Sequence, residues 1–142
     1  SYSGSVTNAT GQYIDIDAIA TSSNATGVIA QGGSKNTLTA LGRDVDGYGV
    51  NIKARTGQVD GNSIAAGVVA DAAENTIYAS HDVLIDALAT DDNTGYSRGI
   101  RATNGGKNSL WDGTSDDPGY SPEAINLTIK AGVAGATDSN VR

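Results

Sequence analysis

Apolar and polar residues alternate along this chain in short bursts that recur. Four segments read apolar-x-Ile-x-Ala: Ile14 to Ala18, Val50 to Ala54, Val83 to Ala87 and Leu127 to Ala131. A second type reads Gly-apolar-x-Ala at Gly27 to Ala30, Gly67 to Ala70 and Gly99 to Ala102, with a degenerate copy at Gly132 to Gly135. A third opens on Asn-x-Leu/Ile: Asn36 to Ala40, Asn75 to Ala79 and Asn108 to Asp112. The period of two predicts strands, whose side chains point alternately to two faces. No stretch carries a convincing helical period.

The three segment types follow one another in the same order in every copy, so the chain is an internal repeat. The closing Ala of the first type recurs at Ala18, Ala54, Ala87 and Ala131, in steps of 36, 33 and 44 residues. Such looseness suits strands fixed by stacking and joined by loops of free length. The loops are 41–49, 55–66, 88–98 and 113–124. The predicted fold is therefore all-β, a parallel β-solenoid or β-helix of about four coils with three short strands per coil. It forms a single domain, with coils at roughly 1–26, 27–66, 67–98 and 99–131 and a partial one at 132–142. The inward column is Ile16, Ile52, Ile85 and Ile129. Asp17, Lys53, Asp86 and Lys130 form an outward column of alternating sign, which stacked neighbours favour. Asn36, Asn75 and Asn108, with Asn140 as a further candidate, read as a structural ladder of stacked amides.

Composition sharpens this picture. The 142 residues include 19 Gly but no Cys, Met or Phe, so thiol chemistry and disulfides are excluded and the interior must be built from Val, Ile, Leu and Ala. Side chains this small suit a narrow core. The net charge of −7 disfavours nucleic acid and anionic lipid, and no apolar run is long enough to insert into a membrane.

At the repeated Gly-Val/Ile-x-Ala, turn, Asn-x-Leu and then apolar-x-Ile-x-Ala, nearly the whole chain resembles passenger regions of bacterial autotransporters and filamentous-haemagglutinin-like surface proteins. The resemblance implies a right-handed parallel β-helix displayed outside the cell at the cell surface, acting in adhesion or as a stiff spacer. It carries over no catalytic residue and no cofactor. The sequence shows no signal-peptide pattern, polar cap or barrel segment, so a secreted parent is expected to have lost its leader. In the last copy Ala131 runs into Gly132 without a loop. Uncapped strand edges at both ends call for cover, by a longer parent chain or by self-association of copies end to end through strand addition.

Candidate chemistry is sparse. Asp44 and Asp46 in one Gly-containing loop, and Asp91 and Asp92 in another, are the candidate metal ligands, with calcium the ion such oxygens would take. Their spacing lacks the remaining ligands of known calcium loops, so solvated acidic turns are the plainer reading. His81 beside Asp82 suggests a histidine-carboxylate pair, but no motif supplies a nucleophile and no catalytic residue is assigned. Tyr78 and Trp111 occupy the same outward position in consecutive copies and form a candidate glycan platform or interface. Outward Ile29 and Val69 mark a covered or contact face. Three N-glycosylation patterns begin at Asn8, Asn24 and Asn126, about as many as composition alone yields.

The expected function is a non-catalytic structural or adhesive element of a prokaryotic surface protein. The alternatives are a self-assembling extracellular filament subunit and a protein that binds or degrades host or environmental glycans.

Overall fold

The computed structural model describes residues 6–21, 23–56, 64–89, 96–113 and 125–133. They form eleven strands: β1 (Val6–Gly11), β2 (Ile14–Ala20), β3 (Ala25–Gln31), β4 (Lys35–Ala40), β5 (Tyr48–Thr56), β6 (Ile64–Asp71), β7 (Glu74–Ala79), β8 (Asp82–Ala89), β9 (Tyr96–Thr103), β10 (Lys107–Asp112) and β11 (Leu127–Val133). No helix occurs among the described residues.

The strands form three parallel sheets, ordered β1-β4-β7-β10, β2-β5-β8-β11 and β3-β6-β9. Every pairing joins strands three places apart in the chain. Each sheet therefore collects one segment type, and equivalent residues pair: Ile16 with Ile52, Ile52 with Ile85, and Ile85 with Ile129. Val28, Val68 and Ile100 are likewise aligned, as are Leu38, Ile77 and Leu110. Only the start of β5 departs, with an irregularity between Tyr48 and Val50.

One strand lacks an expected counterpart. β1 pairs with β4, setting Thr7 beside Asn36 and Ala9 beside Leu38, so a fourth copy of the third segment type precedes the others. Gly132 and Val133 extend β11 and pair with Leu88 and Ala89 rather than opening a new strand. Ala134 onward, including Asn140, lies outside the described residues. The coil boundaries drawn after residues 26, 66, 98 and 131 fall inside β3, β6, β9 and β11.

Between the sheets lies a core in two parts. Branched side chains such as Val50, Ile52, Val68, Val83 and Ile85 fill one, and Ala25, Ala54, Ala65, Ala87 and Ala89 fill the other. The recurring glycine has a steric cause. A Cβ on Gly27 would overlap Ile52 Cγ2, and Gly67 and Gly99 stand in the same relation to Ile85 and Ile129. Each isoleucine thus packs directly on a glycine, and a Cβ there would force side chain or backbone to shift. The turns between β6 and β7 and between β9 and β10 hold Ala72 and Asn104 at φ of 49° and 51°. The turns also bond to each other, with Gly33 N–H donating to Ala72 O at 2.7 Å and Ala72 N–H to Thr103 O at 3.0 Å.

Candidate functional site

The structure brings the asparagine column together. Asn36 Nδ2 donates to Asn75 Oδ1 at 2.9 Å, and Asn75 Nδ2 donates to Asn108 Oδ1 at 2.8 Å. Each amide also donates to the backbone carbonyl of the strand before the turn: Ile29 O at 2.8 Å, Val69 O at 2.7 Å and Arg101 O at 2.7 Å. A side-chain amide has two N–H donors, so Asn36 and Asn75 use one along the column and one to fix their own corner. Thr7 stands at the head of the column, where no amide is available.

The outward charge column is aligned, with Asp17 beside Lys53 and Lys53 beside Asp86, but Asp86 takes its ion pair from Arg55. Arg55 Nη2 reaches Asp86 Oδ2 at 2.8 Å, and its Nη1 donates to Asp86 O at 2.9 Å. A long guanidinium reaches diagonally and binds two acceptors at once, which an ammonium directly opposite does not. A second alternating column, Lys35, Glu74 and Lys107, went unnoticed in the sequence. Lys35 Nζ lies 2.7 Å from Glu74 Oε2, and that hydrogen bond and charge, with Lys107 adding to them, hold the Glu74 carboxyl below its ordinary range.

Tyr78 and Trp111 are register partners on β7 and β10, half-buried and exposed respectively. They make an aromatic strip two strands wide. Thr39 continues it on β4 but is buried.

Among the described residues, clefts of about 300 Å³ or more accompany these features. On the outer face of β3-β6-β9, a groove of about 330 Å³ is lined by Ile29, Val69, Asp71, Arg98 and Arg101 among others, so the outward Ile29 and Val69 form its apolar floor. Asp71 Oδ1 there accepts from Thr103 Oγ1 and Asn104 Nδ2.

A second cleft, of about 300 Å³, contains Arg43, Ser80, His81, Asp82 and Asn126. Ser80 Oγ lies 3.3 Å from His81 Nδ1, so the histidine has a hydroxyl neighbour after all. Ser80 donates its proton to Ala40 O at 3.2 Å, leaving its oxygen to accept from the imidazole. Asp82 Oδ1 accepts the Asn126 backbone N–H at 2.8 Å and its side-chain amide at 3.2 Å. These bonds, and then the nearby His81, lower the Asp82 carboxyl from its ordinary range. Ser80 and His81 thus touch, while the Asp82 carboxylate is engaged by Asn126.

A third cleft, of about 340 Å³, lies where the loop after β4 folds over the outer face of β2 and β5. Tyr13, Asp15, Arg43, Asp44, Val45, Asp46, Asn51 and Lys53 line it. Asp44 Oδ1 accepts the backbone N–H groups of Asp46 and Tyr48, both at 2.9 Å, so this carboxylate closes its own loop. Asp91 and Asp92 lie outside the described residues. Among the described residues, no three acidic or histidine side chains gather closely enough to hold a metal ion.

Asn51 was the residue the sequence reading overlooked. Its parity with Lys53 places it on the outer face, yet it is only 3% exposed, with Asp15 and Leu84 as its register partners on either side. Its Oδ1 has no hydrogen-bond partner. Of the glycosylation patterns, Asn24 Oδ1 accepts Ile64 N–H at 2.8 Å and Asn126 is engaged by Asp82, so both asparagines serve the fold.

Among the described residues, no helix is long and apolar enough to cross a membrane. Compared with known proteins, the chain matches no family model, no curated protein and no solved structure.

Proposed function

We propose that the chain is a parallel β-solenoid, a non-catalytic structural or adhesive element of a prokaryotic protein displayed at the cell surface. The observation that carries this reading is the register. Three parallel sheets each gather one repeated segment, and the Asn36, Asn75 and Asn108 ladder ties successive copies at one corner. A scaffold of this kind presents its faces and loops at fixed spacing, about 4.8 Å per strand. The resemblance to autotransporter and filamentous-haemagglutinin-like passengers supports placing it outside the cell.

A second reading, an end-to-end filament, has its own observation. Leu127 and Ile129 occupy inward positions on edge strand β11, yet they are 44% and 47% exposed. Another copy adding strands there would cover them. Negative-stain electron microscopy over a range of protein concentrations, with and without calcium, tests both readings. Short rods of constant length support the scaffold, and threads that lengthen with concentration support the filament. Round particles would overturn both.

A further inference from the structure

Resting on the filament reading, we infer where a second copy docks: its strands β1 and β2 add in parallel to β10 and β11 of the first, in the register the repeat itself sets. Among the described residues, β1 and β10 are the outer strands of one sheet, and β2 and β11 of another. Carrying the pairings one strand further places Thr7 beside Asn108, Ile14 beside Leu127, Ile16 beside Ile129 and Asp17 beside Lys130. The sheet β3-β6-β9 is one strand shorter among the described residues, so the matched faces belong to the other two sheets.

The two faces match in three respects. The first is apolar surface. Ile14 and Ile16 are half-buried and Leu127 and Ile129 exposed, whereas Ile52 and Ile85, with a strand on either side, are buried. Stacking Ile16 on Ile129 continues the column and removes apolar area from water. The second is the amide ladder. Asn108 Oδ1 accepts from Asn75, and Asn108 Nδ2 gives one N–H to Arg101 O, so its other N–H is the open end of the column. A hydroxyl both accepts and donates, so Thr7 of the incoming copy accepts this N–H and gives its own proton to Asn36 Oδ1 beside it. The third is charge. The register neighbour of Lys130 is Asp86, which is ion-paired to Arg55. Asp17 of the incoming copy brings Lys130 a carboxylate and continues the alternation of Asp17, Lys53, Asp86 and Lys130.

Charge also favours this head-to-tail contact over a twofold one. Two β2 edges meeting antiparallel about Ile16 would set Asp15 of each copy against Asp17 of the other, and an antiparallel contact cannot extend the parallel ladder. A head-to-tail contact leaves the same faces open at the far ends, so it repeats.

Sedimentation velocity of the whole chain over a wide concentration range reads the association. Lys130→Glu sets two carboxylates in register across the contact and should weaken association about tenfold. Asp17→Lys should weaken it similarly, and an equimolar mixture of the two variants, which restores opposite charges at every mixed junction, should associate as the parent does. If a charge variant fails to fold by circular dichroism, cysteine pairs decide. Asp15 and Thr128 are register partners across the contact, whereas three strand spacings, about 14 Å, separate them within one chain. The chain has no Cys, so Asp15→Cys with Thr128→Cys should give a ladder of covalent multimers on a non-reducing gel after mild oxidation. Ile19→Cys with Thr128→Cys, out of register, should not. Monomers at every concentration overturn this inference and the filament reading together. If the parent associates but Lys130→Glu associates equally well, or the displaced cysteines cross-link as readily as the aligned ones, the register falls and the filament reading stands.

Discussion

Ile52 and Ile129 are the same residue at the same place in the repeat, and the molecule treats them differently. Ile52 lies between β2 and β8 and is fully buried, whereas Ile129 on edge strand β11 is about half exposed. Among the described residues, β5 and β8 have a strand on both sides, and β11 has one. In a stacked repeat the stability of a residue is set largely by how many neighbouring copies touch it, and only secondarily by what it is.

The largest test of this contrast is a charge in each column position. Ile52→Asp would bury an unpaired carboxylate and should abolish the cooperative melt followed by circular dichroism. Ile129→Asp should cost about 1 kcal/mol, since the new charge stays in water. Equal losses would show that position within the stack does not matter.

Next come the glycines. A Cβ on Gly67 would overlap Ile85 Cγ2 and lie 2.5 Å from Gly99 O, so backbone as well as side chain must yield. Gly67→Ala should cost about 3 kcal/mol. On Gly99 the close neighbour is the Ile129 side chain, which can turn outward, and Gly99→Ala should cost about 1 kcal/mol. Chemical denaturation of the two variants measures the difference.

The asparagine ladder sharpens the comparison further. Asn75→Ala removes a buried amide that donates to Asn108 and to Val69 O and accepts from Asn36. It should cost about 2–3 kcal/mol, against about 1 kcal/mol for Asn108→Ala at the edge.

The smallest effect is expected from pH. Glu74 and Asp82 have lowered carboxyl pKa values, so the folded state holds their charged forms more firmly than the unfolded chain does. The stability this adds is present above the ordinary carboxylate range and is lost as pH falls through the lowered values. Both residues are only partly buried, so screening keeps the effect slight. The melting temperature of Glu74→Gln should fall less on acidification than that of the parent.

The repeat was legible because a two-residue period and a constant order of segments survive any change in loop length. The columns of Ile, Ala and Asn aligned in the structure as the spacing implied. β1 escaped notice because Thr7 and Ala9 replace the Asn and Leu that mark the other copies. Arg55 displaced Lys53 as the partner of Asp86 because reach along a strand does not show in a column of aligned positions. Asn51, Thr39 and Leu84 have outward parity but are buried, which alternation along a single strand does not reveal. For the same reason the third cleft was only half visible: Asp44 and Asp46 stood out as a loop pair, while Tyr13, Asp15 and Asn51 join them only once β2, β5 and the loop are folded together.

The steps of 36, 33 and 44 residues between equivalent alanines correspond to one and the same advance across the sheet, a single strand. The molecule is in effect a ruler graduated in strands and indifferent to residue count. Mutation can lengthen, shorten or exchange a loop such as that around Asp44 without moving any graduation, so new surface chemistry can be tried repeatedly while the dimension along the stack stays unchanged.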